Sequence, residues 1–435
     1  MTRTGQLTDI RTAPRREVLI SGAGIAGPAL AFWLNRYGYA VTVVEKADTP
    51  RSGGYPIDVR GTALEVVRRM GILPQLRDAH IDSRRFTFLD GDGGEVASVN
   101  PHTVGGSAEG RDLDVRDLEV RRGDLTDALY TAVRDDVEFL FNDSIETLDQ
   151  SDQSGRSSQS SRSSRSGRSS RSSRSGHGVD VTFRGGGRRT FDMVFGADGL
   201  HSRTRQSLFG PEEQFHRYLG YCFAVFTMPN TFALSHEIMM WNTPGRAAAL
   251  YAVGDDDEVH AFLNFARPAP PSGAFRDPEA QRDLVAAVFA DAGWEVPNMI
   301  AAMRDADDLF IDVVSQIRMP RWSRGRVALV GDAAYAPSFL TGQGTSLALV
   351  GAYMLAGSLA GRDAAEGFAA YEHHTREFVT VNQEQIGEGD AALFPTTARA
   401  LERRNDMLRT LGTMPPAEGR PAHSALTLPE FTPPR

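Results

Sequence analysis

Near the start of the 435-residue chain, three glycines stand in the run Gly22-Ala-Gly24-Ile-Ala-Gly27. The apolar stretch Glu17-Val-Leu-Ile20 leads into it, and Pro28-Ala-Leu-Ala-Phe-Trp-Leu-Asn-Arg-Tyr-Gly38 follows. A short aliphatic run closed by Ser21-Gly22 predicts a buried strand. Pro28 suits the first turn of a helix and Gly38 its end. The β-branched run Ala40–Glu45 predicts a second strand. Strand, glycine turn, helix and strand make a βαβ unit, which commits this end of the chain to a parallel sheet. In that setting Gly22 makes the turn, Gly24 admits a pyrophosphate to the backbone, and Gly27 lets helix and strand pack closely. Ile25 and Ala26 then stand where a helix start offers unpaired N–H groups to phosphate. Glu45, 18 residues after Gly27, carries a carboxylate able to accept hydrogen bonds from an adenosine ribose, and Lys46 adjoins it. The unit points to a dinucleotide without separating NAD from FAD.

Composition narrows the class. The chain is 41% hydrophobic and 24% charged, within the globular range and long enough for two or three domains. Its net charge of −9 argues against a nucleic-acid or anionic-membrane binder. Cys222 is the sole cysteine, so the chain holds no internal disulfide and no cysteine cluster for a metal. No run approaches 18 consecutive apolar residues. Residues 1–16 lack an apolar signal core and read as a frayed tail. The expectation is a soluble cytoplasmic protein.

Further along, helices are predicted near Thr62–Met70, Leu125–Val133, Ala280–Ala292, Pro297–Arg304, Thr345–Ala360 and Ala364–Asn382. Arg85–Leu89 and Glu95–Ser98 flank a glycine-rich turn and read as a hairpin. Residues 151–176 hold 14 Ser and 6 Arg in 26 positions, too few apolar groups to offset chain entropy, so disorder is expected there. Strand-like runs at Val137–Phe141 and Val179–Phe183 make this insertion an expanded hairpin loop. Tyr221–Thr227, His236–Trp241, Ala247–Val253 and Val259–Phe265 predict a mostly antiparallel sheet. Their aromatics, Phe223, Phe226, Trp241, Tyr251 and Phe265, suit either a substrate cavity or the sheet's own core. Residues 411–435 read as a proline-rich tail.

Two later segments repeat the pattern of strand, glycine and acid. Phe195-Gly-Ala-Asp198-Gly199-Leu-His-Ser-Arg203 follows an apolar run. Arg326-Val-Ala-Leu-Val-Gly331-Asp332-Ala-Ala334 leads on to Pro337 and Thr341-Gly342-Gln-Gly344-Thr345-Ser346. With these in order, the sequence resembles the single-component flavoprotein aromatic hydroxylases, FAD-dependent monooxygenases of the p-hydroxybenzoate hydroxylase fold. The segment Gly53-Gly-Tyr-Pro-Ile-Asp58-Val-Arg60-Gly61 is similar to that of tetracycline-inactivating members. The resemblance implies an α/β fold with two parts. One is a Rossmann-like FAD domain of residues 17–80, 112–210 and 322–410. The other is a mostly antiparallel substrate domain of residues 81–111 and 211–321.

It also implies site roles. Gly22, Gly24, Gly27 and Glu45 would hold the ADP half of FAD, and Arg122 would reach its linker. Asp198 and Gly199 would sit near the pyrophosphate and the path of NAD(P)H. Gly331 and Asp332 would meet the ribityl or pyrophosphate, and Asp58 and Arg60 would border the flavin. Beyond Pro337, Gly342, Gly344 and Thr345 would bring helix-start amides to the isoalloxazine, where reduced flavin carries negative charge. NAD(P)H would reduce FAD, and O2 would form a C4a-hydroperoxyflavin that oxygenates an electron-rich phenolic or polyketide-like molecule. Baeyer–Villiger or epoxide-forming oxygenation, or an oxidase or reductase without a peroxyflavin, are the alternatives. No residue is singled out as catalytic acid or base. Asp198 also suits a helix cap, Arg60 and Arg122 also suit surface ion pairs, and His201 and His216 suit structural roles. Flavin halogenases share the fold but need a lysine between flavin and substrate, and Lys46, the only lysine, stands beside the ribose acid.

Overall fold

β1 (Glu17–Ser21), α1 (Ala26–Arg36) and β2 (Ala40–Val44) form the expected βαβ unit, its two strands parallel and in direct register from Glu17 with Ala40 to Ser21 with Val44. The computed structural model describes residues 15–50, 54–99, 117–150, 178–271, 277–386, 393–410 and 421–432. The predicted tail over 1–14 and the Ser/Arg stretch 151–176 lie outside them. After β2 come β3 (Pro56–Val59), α2 (Thr62–Met70), α3 (Leu73–Asp78), β4 (Arg85–Leu89) and β5 (Glu95–Val99). Then follow β6 (Leu118–Arg121), α4 (Arg122–Thr131), β7 (Glu138–Leu140), β8 (Ile145–Gln150), β9 (Val179–Phe183), β10 (Arg188–Phe191), β11 (Met193–Gly196) and α5 (Arg203–Phe209). The next stretch holds β12 (His216–Pro229), β13 (Glu237–Thr243), β14 (Arg246–Tyr251), β15 (Glu258–Ala266), α6 (Pro278–Val288), α7 (Val296–Asp305) and β16 (Phe310–Ile317). The last elements are β17 (Ser323–Arg324), β18 (Val327–Leu329), α8 (Asp332–Tyr335), α9 (Gly344–Leu359), α10 (Ala364–Gln383) and α11 (Ala398–Thr410).

Six strands in the order β17-β18-β11-β1-β2-β7 make the first sheet, parallel apart from β17. α9 is apolar on every face, and Thr345 to Leu359 are all buried. Such a helix belongs inside a core rather than on a surface. It packs on α1, α2 and α10 over this sheet. A second sheet, β16-β12-β15-β14-β13-β4-β5, is antiparallel except where β13 meets β4. Its apolar face closes on α6 and α7 through Phe226, Trp241, Leu263, Phe289 and Met299.

Three expectations need correction. Val137–Phe141 is not the partner of Val179–Phe183: β7 joins the parallel sheet beside β2, and β9 pairs antiparallel with β8 before the insertion and β10 after it. β8 is largely exposed, with only Ile145 buried, so it lacks the apolar run that marks a strand in sequence. α11, placed by the sequence among the FAD-binding segments, packs on β5 and β13 of the second sheet, where Arg404 donates to Asn242 Oδ1 at 2.9 Å. Residues 421–432, within the proline-rich segment, are docked on the core over the first sheet. Asn382 donates to the Ala422 carbonyl at 2.8 Å, Thr62 to that of Leu426 at 2.8 Å, and Tyr353 to that of Pro429 at 2.6 Å. His423 and Leu428 are buried against α2, α9 and α10. Proline there removes donors without preventing its neighbours' carbonyls from accepting.

Candidate functional site

Four parallel strands end side by side, and at each end the chain turns on residues singled out in the sequence. In open parallel sheets such carboxyl-end crevices are where ligands bind. After β1, Gly22 has φ +106°, and a Cβ there would lie 2.5 Å from the Ala197 carbonyl oxygen. A Cβ on Gly27 would lie 1.9 Å from the Gly22 carbonyl oxygen, so this turn closes only with hydrogen at both positions. Gly24 differs: its nearest neighbour is an Arg122 guanidinium nitrogen at 3.8 Å, and the rest is open. α1 then starts at Ile25–Ala26 with no side-chain cap and no acid in its first turn. Its amides therefore remain available to an anion.

Glu45, at the end of β2, accepts from the Ala23 N–H at 2.8 Å and the Ala47 N–H at 3.0 Å, which fixes its half-buried carboxylate beside the glycine turn. Lys46 is exposed next to it. After β18, Gly331 (φ +65°) packs on Ala26, the two turns touching where a Cβ would meet that of Ala26 at 2.9 Å. Protein crowding pushes the Asp332 carboxyl up to about 6, while Arg122 and Arg205 pull it down. Asp332 nevertheless stays open to solvent, as a group on the floor of a cleft does.

After β11, Asp198 takes the cap role left open by its sequence. Its carboxylate accepts from Ser202 Oγ at 2.5 Å and from the Thr204 N–H and hydroxyl at 3.0 Å each. It shapes the loop, while Gly199 beside it has nothing within 4 Å of where a Cβ would stand.

The far end of the cleft is the turn before α9. Gly342 has φ +64°, and a Cβ there would stand 3.2 Å from Asp58 Oδ2 and 3.6 Å from an Arg60 guanidinium nitrogen. Arg60 is paired with Asp58 at 2.8 Å, so these two are an ion pair set against the turn rather than a surface pair elsewhere. α9 begins at Gly344–Thr345 with no side-chain cap, and nothing lies within 4 Å of a Cβ on Gly344. Gln343 is buried, and its Oε1 accepts no hydrogen bond. Pro337 is buried short of the turn, its carbonyl accepting from Gln316 at 2.9 Å.

Two glycine turns and two uncapped helix starts, with room beside Gly24 and Gly344, fit an extended dinucleotide with a ring at one end. A cavity of about 470 Å³ bounded by Arg16, Asp192, Arg326 and Asp363 lies at the opposite, strand-start end of the sheet and takes no part in this arrangement.

Several residues at the site were not legible as such. Arg205 has no exposed side-chain surface and donates to the carbonyls of Ala333 and Leu200 and to Glu212. His201 bridges Glu212 (2.8 Å) and Asp312 of β16 (3.2 Å), and those two acids hold its pKa up at about 10. Burial pushes His216 down. Neither histidine reaches the cleft floor through a contact of its own. Of the five candidate aromatics, Phe226, Trp241, Tyr251 and Phe265 are core residues. Phe223 instead meets Phe339 edge-on at 5.0 Å and Phe310 tilted at 5.7 Å, and Phe339 meets Phe394 at 6.1 Å. Phe310 and Phe339 stay exposed. Among the described residues no helix is long and apolar enough to cross a membrane.

The FAD binding domain family matches residues 15–384. The chain is 41% identical over 390 residues to an uncharacterized protein of Mycobacterium tuberculosis, covering 89% of this chain and 97% of that one. It is 34% identical over 421 residues to a flavin-dependent monooxygenase of an unknown prokaryotic organism, covering 96% and 99%. Among solved structures, tetracycline destructase Tet(55) matches with a TM-score of 0.77 at 32% identity, covering 96% of this chain and 99% of its own. The chain therefore belongs to the FAD-binding flavoprotein monooxygenases, oxidoreductases that act on small molecules with O2 and typically draw electrons from NAD(P)H.

Proposed function

We propose that this enzyme oxygenates an electron-rich aromatic molecule, phenolic or polyketide-like, bound between the Gly342 turn and the second sheet. The observation that carries this reading is the aromatic wall of Phe223, Phe339, Phe310 and Phe394, two of whose rings are exposed three residues or more from that turn. Exposed rings beside a cleft favour flat aromatic ligands, since offset and edge contacts add to the area buried. The tetracycline destructases, with their polyketide ligand class, support the same choice.

Bound FAD, once reduced, supplies the activation of O2 for transfer of one oxygen atom. In this reading the Gly22–Gly27 turn and the α1 start receive the pyrophosphate, and Glu45 accepts from the ribose. Arg122 and Asp332 face the linker. Gly342, Gly344 and Thr345 offer amides to the ring edge, where negative charge develops on reduction. The parallel sheet with its helices is the cofactor domain, and the seven-stranded sheet carries the substrate. The aromatic wall orients the substrate and keeps water from the reacting face.

The test is NAD(P)H-dependent turnover with labelled O2 against a panel of phenols and tetracycline-type polyketides. A product carrying one labelled oxygen atom, formed in proportion to NAD(P)H consumed, supports the reading. Reductant consumption with no oxygenated product from any aromatic supports an oxidase or reductase instead, and a lactone or epoxide product moves the reaction to the neighbouring oxygenation types.

A further inference from the structure

β3 and β6 form a two-stranded antiparallel sheet in which Asp58 stands directly opposite Glu119. Cross-strand neighbours on one face sit about 5 Å apart, and two like charges there repel. Asp58 is bound to Arg60, and that pair is fastened to the first turn of α9, since the Arg60 N–H donates to Ser346 Oγ at 3.1 Å. Asp117 lies 4.0 Å from the same guanidinium. On its other side Glu119 meets the second sheet. Ser83 Oγ donates to Glu119 Oε2 at 3.3 Å and lies 2.7 Å from the hydroxyl of Tyr251 on β14. Ser83 and Tyr251 are both buried. His80 meets the Glu119 backbone, through Nδ1 at 3.1 Å from the carbonyl and 3.2 Å from the N–H.

Around one guanidinium, three carboxyl groups thus converge: Asp58, Asp117 and Glu119. Burial first, and Asp58 second, push the Glu119 carboxyl up to about 7, against the pull of its hydrogen bonds and of Arg60. A carboxyl that titrates near neutrality exchanges a neutral form, which adds no further negative charge behind the Gly342 turn, with an ionised form that does. That matters if the turn seats a flavin ring, because FAD brings two phosphate charges and its reduced ring a third.

We propose that Glu119 is a positioning residue that acts through the Asp58–Arg60 pair, its neutral form keeping that pair balanced against the Gly342 turn and its ionised form weakening the turn's hold on FAD. This rests on the reading of Gly342–Gly344 as the seat of the flavin ring. The proton on Glu119 and FAD in the cleft then favour one another by the same factor, as linked binding requires. A tenfold factor, inside the usual range of about 5–150-fold, raises the Glu119 midpoint by about one unit when FAD binds.

The experiment uses the full chain, with and without FAD. Infrared difference spectra between wild type and Glu119→Gln assign the protonated-carboxyl band, which is followed across neutral pH. In parallel, the Kd for FAD is measured from about pH 6 to about pH 8.5. Expected are a band missing from E119Q, a midpoint that rises by about one unit with FAD, and roughly tenfold weaker FAD binding at the alkaline end in wild type but not in E119Q. No such band, a midpoint indifferent to FAD, or a wild-type pH slope retained in E119Q each overturns the proposal. Should E119Q fail to fold, the wild-type midpoint with and without FAD decides alone. Gly344→Val tests the seat separately. Unchanged FAD affinity there overturns the seat, whereas lost affinity with an unmoved Glu119 midpoint overturns the role of Glu119 only.

Discussion

Arg205 donates to the carbonyl of Ala333 at 3.1 Å, and with that bond it ties α5, which follows the loop after β11, to α8, which follows β18. Both segments border the cleft, and the same guanidinium also reaches Leu200 and Glu212 at 2.6 Å each. Arg205→Met keeps most of the volume and removes every donor. Breaking a buried ion pair this way costs about 3 kcal/mol or more, because the partner carboxylate and carbonyls are left unpaired. Urea unfolding of the variant is expected to show that loss, together with weaker FAD retention. Wild-type stability would mean that the three bonds do not hold the two segments.

Gly24 and Gly27 separate folding from binding. A Cβ on Gly27 would collide with the Gly22 carbonyl, whereas Gly24 has room on the protein side. Gly27→Ala is therefore expected to lower both melting temperature and flavin content. Gly24→Val is expected to keep a near-native melting temperature while FAD affinity falls by about tenfold or more, since the side chain enters the space a pyrophosphate would occupy. Full flavin content in purified G24V would remove this turn from the cofactor site.

Asp332 lies open on the cleft floor, so its truncation leaves no packing defect. Asp332→Ala is expected to lose flavin during gel filtration while its thermal unfolding stays close to wild type. Flavin absorbance per protein, measured after the column, is the readout. Undiminished retention would assign the acid to something other than FAD.

His201 predicts a pH dependence with a defined sign. Its folded pKa, raised by Asp312 and Glu212 to about 10 from an ordinary 6.5, means the fold binds the proton more tightly than the unfolded chain does. The stabilisation is fully present below about 6.5 and is lost as pH rises through about 10. Because the side chain is 55% exposed, solvent screening keeps the effect modest. The difference in unfolding free energy between wild type and His201→Gln should shrink across that window. A constant difference would show that His201 is not held as a cation between the two acids.

The βαβ opening was legible because everything that specifies it is local: an apolar run, three glycines, a proline and an acid within thirty or so residues. The glycine turns before α8 and α9 were legible for the same reason. Arg205 and Glu119 were not, since their meaning comes from Ala333 and Tyr251, which only the tertiary fold brings near. β16 has seven of its eight residues buried, yet its Asp312, Ser315 and Gln316 break up the apolar run that would mark a strand. α11 hid for a different reason: the side chains it buries are Arg404, Asn405 and Leu408, so its inner face carries no apolar stripe to read. Antiparallel β8 and β9 do flank the insertion, but the first of them is hidden in sequence: apolarity in Val137–Phe141 reflects a place in the parallel sheet, while β8 is mostly solvated.

The strand order β18-β11-β1-β2 has a consequence for how the enzyme acquires its cofactor. The Gly22 turn leaves the ribosome early, but the turn that touches it, at Gly331, and the helix start at Gly344 are made only after the whole second sheet has been synthesised. In the proposed site, a nascent chain that has not yet reached Gly331 and Gly344 holds only half of the cradle. On the proposed site, cofactor capture therefore waits for the finished polypeptide.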